Sequence, residues 1–193
     1  MQAARGASLS SSDPDRLPDD PRPSTAPARS RVLAVFVTLA VVCYALDLTT
    51  KTLAVARLSG HPPVRVVGDV LSLYLARNPG AAFSTGTSYT MLLSFVAIAA
   101  AGTVLWLSRR LGSVGWAAAL GFLLAGILGN LTDRIFRTPG VLRGHVVDFL
   151  QLPHWPIFNV ADMCINIAAV LIVVQAVRGV ALAGTRTADD SAS

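Results

Sequence analysis

Four stretches of the chain are free of charge and largely apolar, and charged residues are pushed into the gaps and the two ends. Residues 32–46 lie between Arg31 and Asp47, and residues 89–107 run into Ser108-Arg109-Arg110. Residues 111–132 stop at Asp133-Arg134, and residues 163–177 lie between Asp162 and Arg178. A helix that crosses the hydrocarbon core of a bilayer needs about 20 residues, with a range of about 17–25. The second and third stretches meet that length directly. The first and fourth meet it when Asp47 and Asp162 are taken inside the outer ends of their helices. The pattern therefore predicts four transmembrane helices.

Between the first two helices the period changes from helical to alternating. Val64-Arg65-Val66-Val67, then Gly68-Asp69, then residues 70–77 predict a hairpin around a Gly-Asp turn. Leu71, Leu73 and Leu75 alternate with Ser72, Tyr74 and Ala76, which gives one apolar face at period two. His145-Val146-Val147-Asp148-Phe149-Leu150, between the third and fourth helices, is a second run of the same kind. The expected fold is a mainly α membrane protein: four helices, with a small extracytoplasmic β-sheet rooted between helices 1 and 2.

Composition sharpens this picture. The 193 residues are 53% hydrophobic and 14% charged, where a soluble domain carries roughly 25% charge, and a chain this short cannot hide so much apolar surface. Two cysteines, Cys43 and Cys164, exclude a disulfide scaffold and are read as small apolar residues of the helices. The net charge of +5 comes from cations scattered singly or in pairs, without interleaved aromatics, so nucleic acid is not an expected partner. Residues 1–28, with five prolines among Ser, Asp and Arg, are expected to be a disordered cytoplasmic tail, and no apolar signal segment follows Met1. Residues 29–178 form the expected membrane domain, and residues 179–193 a flexible second tail. Arg29, Arg31, Arg109, Arg110 and Arg178 would share one side of the membrane, which puts both termini in the cytoplasm.

Only five acids remain outside the tails: Asp47, Asp69, Asp133, Asp148 and Asp162. Asp69 sits in the hairpin turn, a routine place for aspartate. Asp47 lies 16 residues past Arg31 and Asp162 the same number before Arg178, each roughly 24 Å from the inner boundary at the helical rise. Ionisable groups at that depth are costly and are candidates for function. Asp47 and Lys51 are spaced i, i+4 and suit a structural ion pair; Asp133 beside Arg134 suggests a local one. For Asp162, after Asn159, capping of the fourth helix competes with chemistry. Asp148 lies on an apolar strand with no packing reason to be acidic. Two carboxylates meeting at a membrane edge suggest a pair that shares a proton, able to activate water and to protonate a leaving group. In the third helix Ala117, Gly121, Ala125 and Gly129 recur every four residues, and are expected to let the fourth helix approach closely.

Five blocks resemble, in order, the motifs of bacterial lipoprotein signal peptidase (signal peptidase II). They are Asp47-Leu48-Thr49-Thr50-Lys51, Asn78-Pro79-Gly80-Ala81-Ala82-Phe83-Ser84, Gly129-Asn130-Leu131-Thr132-Asp133-Arg134, Val146-Val147-Asp148-Phe149 and Phe158-Asn159-Val160-Ala161-Asp162. The resemblance covers roughly residues 31–178 and implies a membrane aspartic endopeptidase with Asp148 and Asp162 as the catalytic pair. It implies that Asn78, Asn130, Arg134 and Asn159 shape the substrate site, with Asp47, Lys51, Gly80 and Asp133 in support. The implied substrate is a prolipoprotein, cut just before a diacylglyceryl-modified cysteine at the outer face of the bacterial plasma membrane. No metal or cofactor is implied, membrane lipids are the expected surroundings, and the protein is expected to act as a monomer. Two features depart from the usual pattern: the long tail before Arg29, and a short connection from Asp148 to Asp162 that leaves little room for a lid. A proton-coupled transporter is the rival reading, but it calls for acids near the midplane and broken helices. A non-catalytic scaffold would leave Asp148 unexplained.

Overall fold

A computed structural model describes residues 29–80 and 86–185. The expected tail over residues 1–28, the Ala81 to Ser84 part of the second motif, and the end of the chain from residue 186 lie outside the described residues. The elements follow in the order α1 (Arg29–Leu58), β1 (Val64–Val67), β2 (Leu71–Asn78), α2 (Gly86–Ser108), α3 (Val114–Phe136), β3 (Val146–Gln151) and α4 (Val160–Val177). All four helices are long and apolar enough to span a membrane.

Helix α3 is the hub. Of its apolar span 61% is buried, against 22% for each of the others, so the other three helices are arranged around it. The remaining faces leave rows of large apolar residues uncovered, among them Val37 and Val41 on α1, Leu92 and Phe95 on α2, and Val170 and Val173 on α4. Surfaces of this kind belong against lipid tails rather than water.

The expected close packing of α3 on α4 is present, and the small-residue row of α3 faces α1 as well. A Cβ on Gly121 would press on the Phe36 carbonyl and on Leu39, and one on Gly129 would strike Asp47 of α1 as well as Ala161 of α4. Helix α4 also packs on Gly126, which faces Ala161 and Ile165. The reason is geometric. At 3.6 residues per turn a four-residue repeat drifts about 40° at each step, so the row winds away from any one neighbour.

Helix α1 also runs further than its uncharged stretch, for 30 residues in all. Its last turns carry Ala54 and Leu58, which pack with Phe149 under Leu73, Leu75 and Leu150 of the sheet. That contact keeps the chain helical beyond Lys51 and makes α1 the post on which the sheet rests. The three strands are antiparallel in the order β1-β2-β3, so the third comes from the α3–α4 connection rather than from between α1 and α2. In the β2–β3 register Ala76 faces Asp148 and Asn78 faces Val146. The hairpin that the alternation predicts is present, with Asp69 at its tip paired to Arg65 at 3.0 Å.

Candidate active site

Five polar side chains from four elements converge where the sheet meets the ends of the helices. Strand alternation sends Phe149 to the apolar layer over α1 and Asp148 to the opposite face, where it is 2% exposed. Its Oδ2 accepts from Asn78 Nδ2 at 3.0 Å, and its Oδ1 from Asn159 Nδ2 at 2.6 Å. Burial pushes the Asp148 carboxyl up to about 6; the Asn78 bond opposes the rise, the Asp162 charge adds to it, and the Asn159 bond and Lys51 oppose it.

Asp162 stands in the first turn of α4, half-buried. Its role as a cap and its place in the site turn out to be one arrangement. The Asn159 carboxamide oxygen accepts from the Asp162 backbone N–H at 3.0 Å, and Asp162 Oδ2 accepts from the Asn159 backbone N–H at 3.1 Å, a reciprocal capping box. This leaves Asp162 Oδ1 for Asn130 Nδ2 at 2.9 Å. Asn159, with no exposed surface, thus bonds both aspartates at once. Arg134, half-buried on α3, faces this group and interacts electrostatically with Asp162, Asp133 and Asp148.

A second polar cluster lies directly beneath. Lys51 is fully buried and pairs with Asp47 and Asp133 at 2.9 Å each, while its ammonium also donates to Asn130 Oδ1 at 3.0 Å. The i, i+4 pair expected on α1 is therefore present, though as part of a larger network. The expected Asp133–Arg134 pair is not what forms. Asp133 binds Lys51 and Arg137, and its Oδ2 also accepts from the Val147 backbone N–H at 3.1 Å, which ties β3 to α3. Neighbours in sequence on a helix diverge by about 100°, so Arg134 points elsewhere, whereas Arg137 lies one turn on and on the same face. Asp47 reaches α4 as well, accepting from the Ala161 backbone N–H at 2.8 Å.

Of the residues singled out from the sequence, Asn78, Asn130, Asn159, Asp148 and Asp162 form one hydrogen-bonded group, with Lys51 joining it to Asp47 and Asp133. Gly80 is tied in through its N–H, which donates to Asn78 Oδ1 at 2.8 Å. Asp69 stands apart on the hairpin. Three residues were missed: Arg137, visible as an i, i+4 partner of Asp133, and Thr90 and Ser94, two hydroxyls one turn apart on α2.

The family model described as signal peptidase (SPase) II matches residues 39–178. A lipoprotein signal peptidase of Rhodococcus jostii is 49% identical over 175 residues, covering 89% of this chain and 88% of that protein. The lipoprotein signal peptidase of Mycobacterium tuberculosis is 47% identical over 154 residues, covering 80% of this chain and 76% of its own. A solved bacterial membrane enzyme, 25% identical, superposes with a TM-score of 0.67 over 74% of this chain and 92% of its own.

Proposed function

The chain belongs to the signal peptidase II family of membrane peptidases, and from that premise we propose that it cuts prolipoproteins immediately before a diacylglyceryl-modified cysteine, with Asp148 and Asp162 as the catalytic pair. One observation carries the assignment of the pair. These two acids are linked through a single buried residue, Asn159, and neither has a lysine or arginine as a direct ion-pair partner among the described residues. A carboxylate cancelled by a cation is held in place; one supported by amides remains free to exchange a proton.

The reaction then proceeds on this chain's own groups. In the working state one carboxyl of the pair carries a proton and the other does not. The ionised member takes a proton from water as the water oxygen attacks the carbonyl of the residue before the lipidated cysteine. The protonated member hydrogen-bonds that carbonyl oxygen. When the C–N bond breaks, the departing amine takes up a proton, and a signal-peptide carboxylate and a free cysteine amine remain. Asn78, Asn130 and Arg134 surround the two acids and supply donors for the developing oxyanion. The placement of both acids at the outer helix ends suits a substrate whose acyl chains stay in the outer leaflet of the plasma membrane. The termini then lie in the cytoplasm, and the protein acts as a monomer.

The test uses purified full-length protein in detergent with a diacylglyceryl-modified prolipoprotein, followed by gel shift. Asp148→Asn and Asp162→Asn should each abolish cleavage while the protein is still recovered folded from the membrane. Near-normal turnover by either variant would remove it from the pair.

A further inference from the structure

Thr90 and Ser94 are buried hydroxyls on α2, 2% and 0% exposed. A hydroxyl in an apolar helix ordinarily bonds back to its own backbone, as Thr103 of the same helix does to the Ala99 carbonyl. Thr90 instead reaches out of its helix and donates to the carbonyl oxygen of Pro79 at 2.5 Å. The peptide group that follows Pro79 is then held at both ends. Its carbonyl accepts from Thr90, and its N–H, that of Gly80, donates to Asn78 Oδ1 at 2.8 Å.

A carboxamide has one acceptor atom and one donor atom, and the two look alike in shape. With Asn78 Oδ1 occupied by Gly80, its Nδ2 is turned to Asp148 Oδ2 at 3.0 Å. Gly80 has φ +105, in the left-handed region, and a Cβ there would lie 2.8 Å from Leu93 Cδ1 of α2, so glycine is needed to keep this turn against the helix. We propose that Thr90 is a positioning residue for the peptidase reaction, its hydroxyl clamping the Pro79–Gly80 peptide so that Asn78 presents its amide donor to Asp148. The proposal rests on the reading of Asp148 as one of the catalytic pair.

The consequence is specific. The Asn78 bond favours the ionised form of Asp148, so loosening it moves the Asp148 titration to higher pH, whichever member of the pair it is. The other charged groups around Asp148 come from different elements: Asp162 from α4, Arg134 from α3 and Lys51 from α1. None of them bonds Thr90, so a change in titration caused by a change at Thr90 reports the Asn78 bond.

The experiment measures kcat, KM and the pH profile of kcat/KM for cleavage of a diacylglyceryl-modified prolipoprotein by full-length protein in detergent. Thr90→Val keeps the shape and removes the donor. It should lower kcat roughly tenfold with little change in KM, and should move the inflection near pH 6 upward. Thr90→Ser, which restores the hydroxyl, should recover both. Ser94→Ala, whose hydroxyl holds the Leu142 carbonyl at 2.8 Å, should leave the inflection in place. If Thr90→Val is not recovered folded, Thr90→Ala gives the same comparison with a strong helix former. A wild-type kcat and profile in the variant lacking the hydroxyl would overturn the proposal, as would a Thr90→Ser variant as impaired as Thr90→Val. An active Asp148→Asn enzyme would remove the premise, whereas an inactive one beside a normal Thr90→Val would overturn the clamp alone.

Discussion

Two pairs of acids lie next to each other where the helices meet the sheet, and they are treated in opposite ways. Asp47 and Asp133 share the Lys51 ammonium, and Asp133 has Arg137 as well, so two negative charges meet two positive ones. Asp148 and Asp162 receive only amide and backbone N–H groups. Depth alone does not separate the pairs, since Asp148 is as deeply buried as Asp47 and Asp133, all three being 2% exposed or less, while Asp162 is half-buried. What separates them is the partner. A buried charge that is cancelled fixes geometry, and one that is only solvated by amides keeps its proton chemistry.

The contrast is broken most severely at Lys51. Lys51→Met would leave Asp47 and Asp133 buried together with only Arg137 to balance them, and would also take a donor from Asn130. Removing one partner of a buried ion pair costs about 3–5 kcal/mol, a large part of the ~5–15 kcal/mol that holds a typical domain. The expected result is little folded protein recovered in detergent. Adding Asp47→Asn should restore part of the yield, because Asp133 and Arg137 then balance. If the single variant melted like wild type, the cluster would not be what anchors α1, α3 and α4 to one another.

Gly129→Ala attacks the same cluster without touching a charge. The new methyl would run into Asp47 Oδ2 and the Ala161 side chain, where α1, α3 and α4 meet. Overpacking of this kind costs about 1–3 kcal/mol, seen as a lower melting temperature, and cleavage should fall too because Ala161 and Asp162 are displaced together. The same change at Gly102, whose Cβ would have nothing within 4 Å, is the control.

The other pair should answer in the opposite direction. The Asp148 carboxyl titrates near 6 in the folded protein against an ordinary 3.8. A group whose folded pKa is raised adds stability that is fully present below the unfolded value and is lost as pH rises through the folded one. Asparagine does not ionise, so Asp148→Asn should melt above wild type when the pH exceeds about 6, and the gap should close towards pH 4. The gain should be about 1 kcal/mol, less than the full shift implies, because the new NH2 group must face one of the two amide donors that now serve the carboxylate. A variant less stable than wild type at every pH would mean that the site is not held at a cost to the fold.

Much of this arrangement was legible in the sequence, for reasons that also explain what was not. Uncharged runs and period-two alternation located the four helices and all three strands. Asp148 stood out because an acid between Val147 and Phe149 serves no packing purpose. Spacing reasoning finds partners one turn apart, as with Asp47 and Lys51, but it carries no information on Lys51 and Asn130, which are 79 residues apart. It also paired Asp133 with the adjacent Arg134, although Arg137, one turn on, is the residue that shares its helix face. The last turns of α1 were cut short because Ala54 and Leu58 reveal their purpose only once Phe149 lies over them. Thr90 was invisible for a similar reason: its partner is a backbone carbonyl, which leaves no trace in side-chain patterns.

The smallest effect should come from the fifth acid, which tests whether partner and burial together are the right criterion. Asp69 is an aspartate paired with an arginine i, i+4 in sequence, just as Asp133 is with Arg137. By partner alone it would belong with the anchoring pair. Its side chain is 86% exposed, however, and that of Arg65 is 76% exposed, so water already solvates both charges and the bond between them replaces interactions of nearly equal strength. The turn itself is set by Gly68, with φ +47, and by the Val70 N–H donating to the Val67 carbonyl at 2.9 Å, neither of which needs the carboxylate. Asp69→Asn should therefore leave both the melting temperature and the rate of prolipoprotein cleavage at wild-type values. A clear loss of cleavage with unchanged melting would place the hairpin tip in contact with substrate, and exposure would then no longer separate the acids that matter from the one that does not.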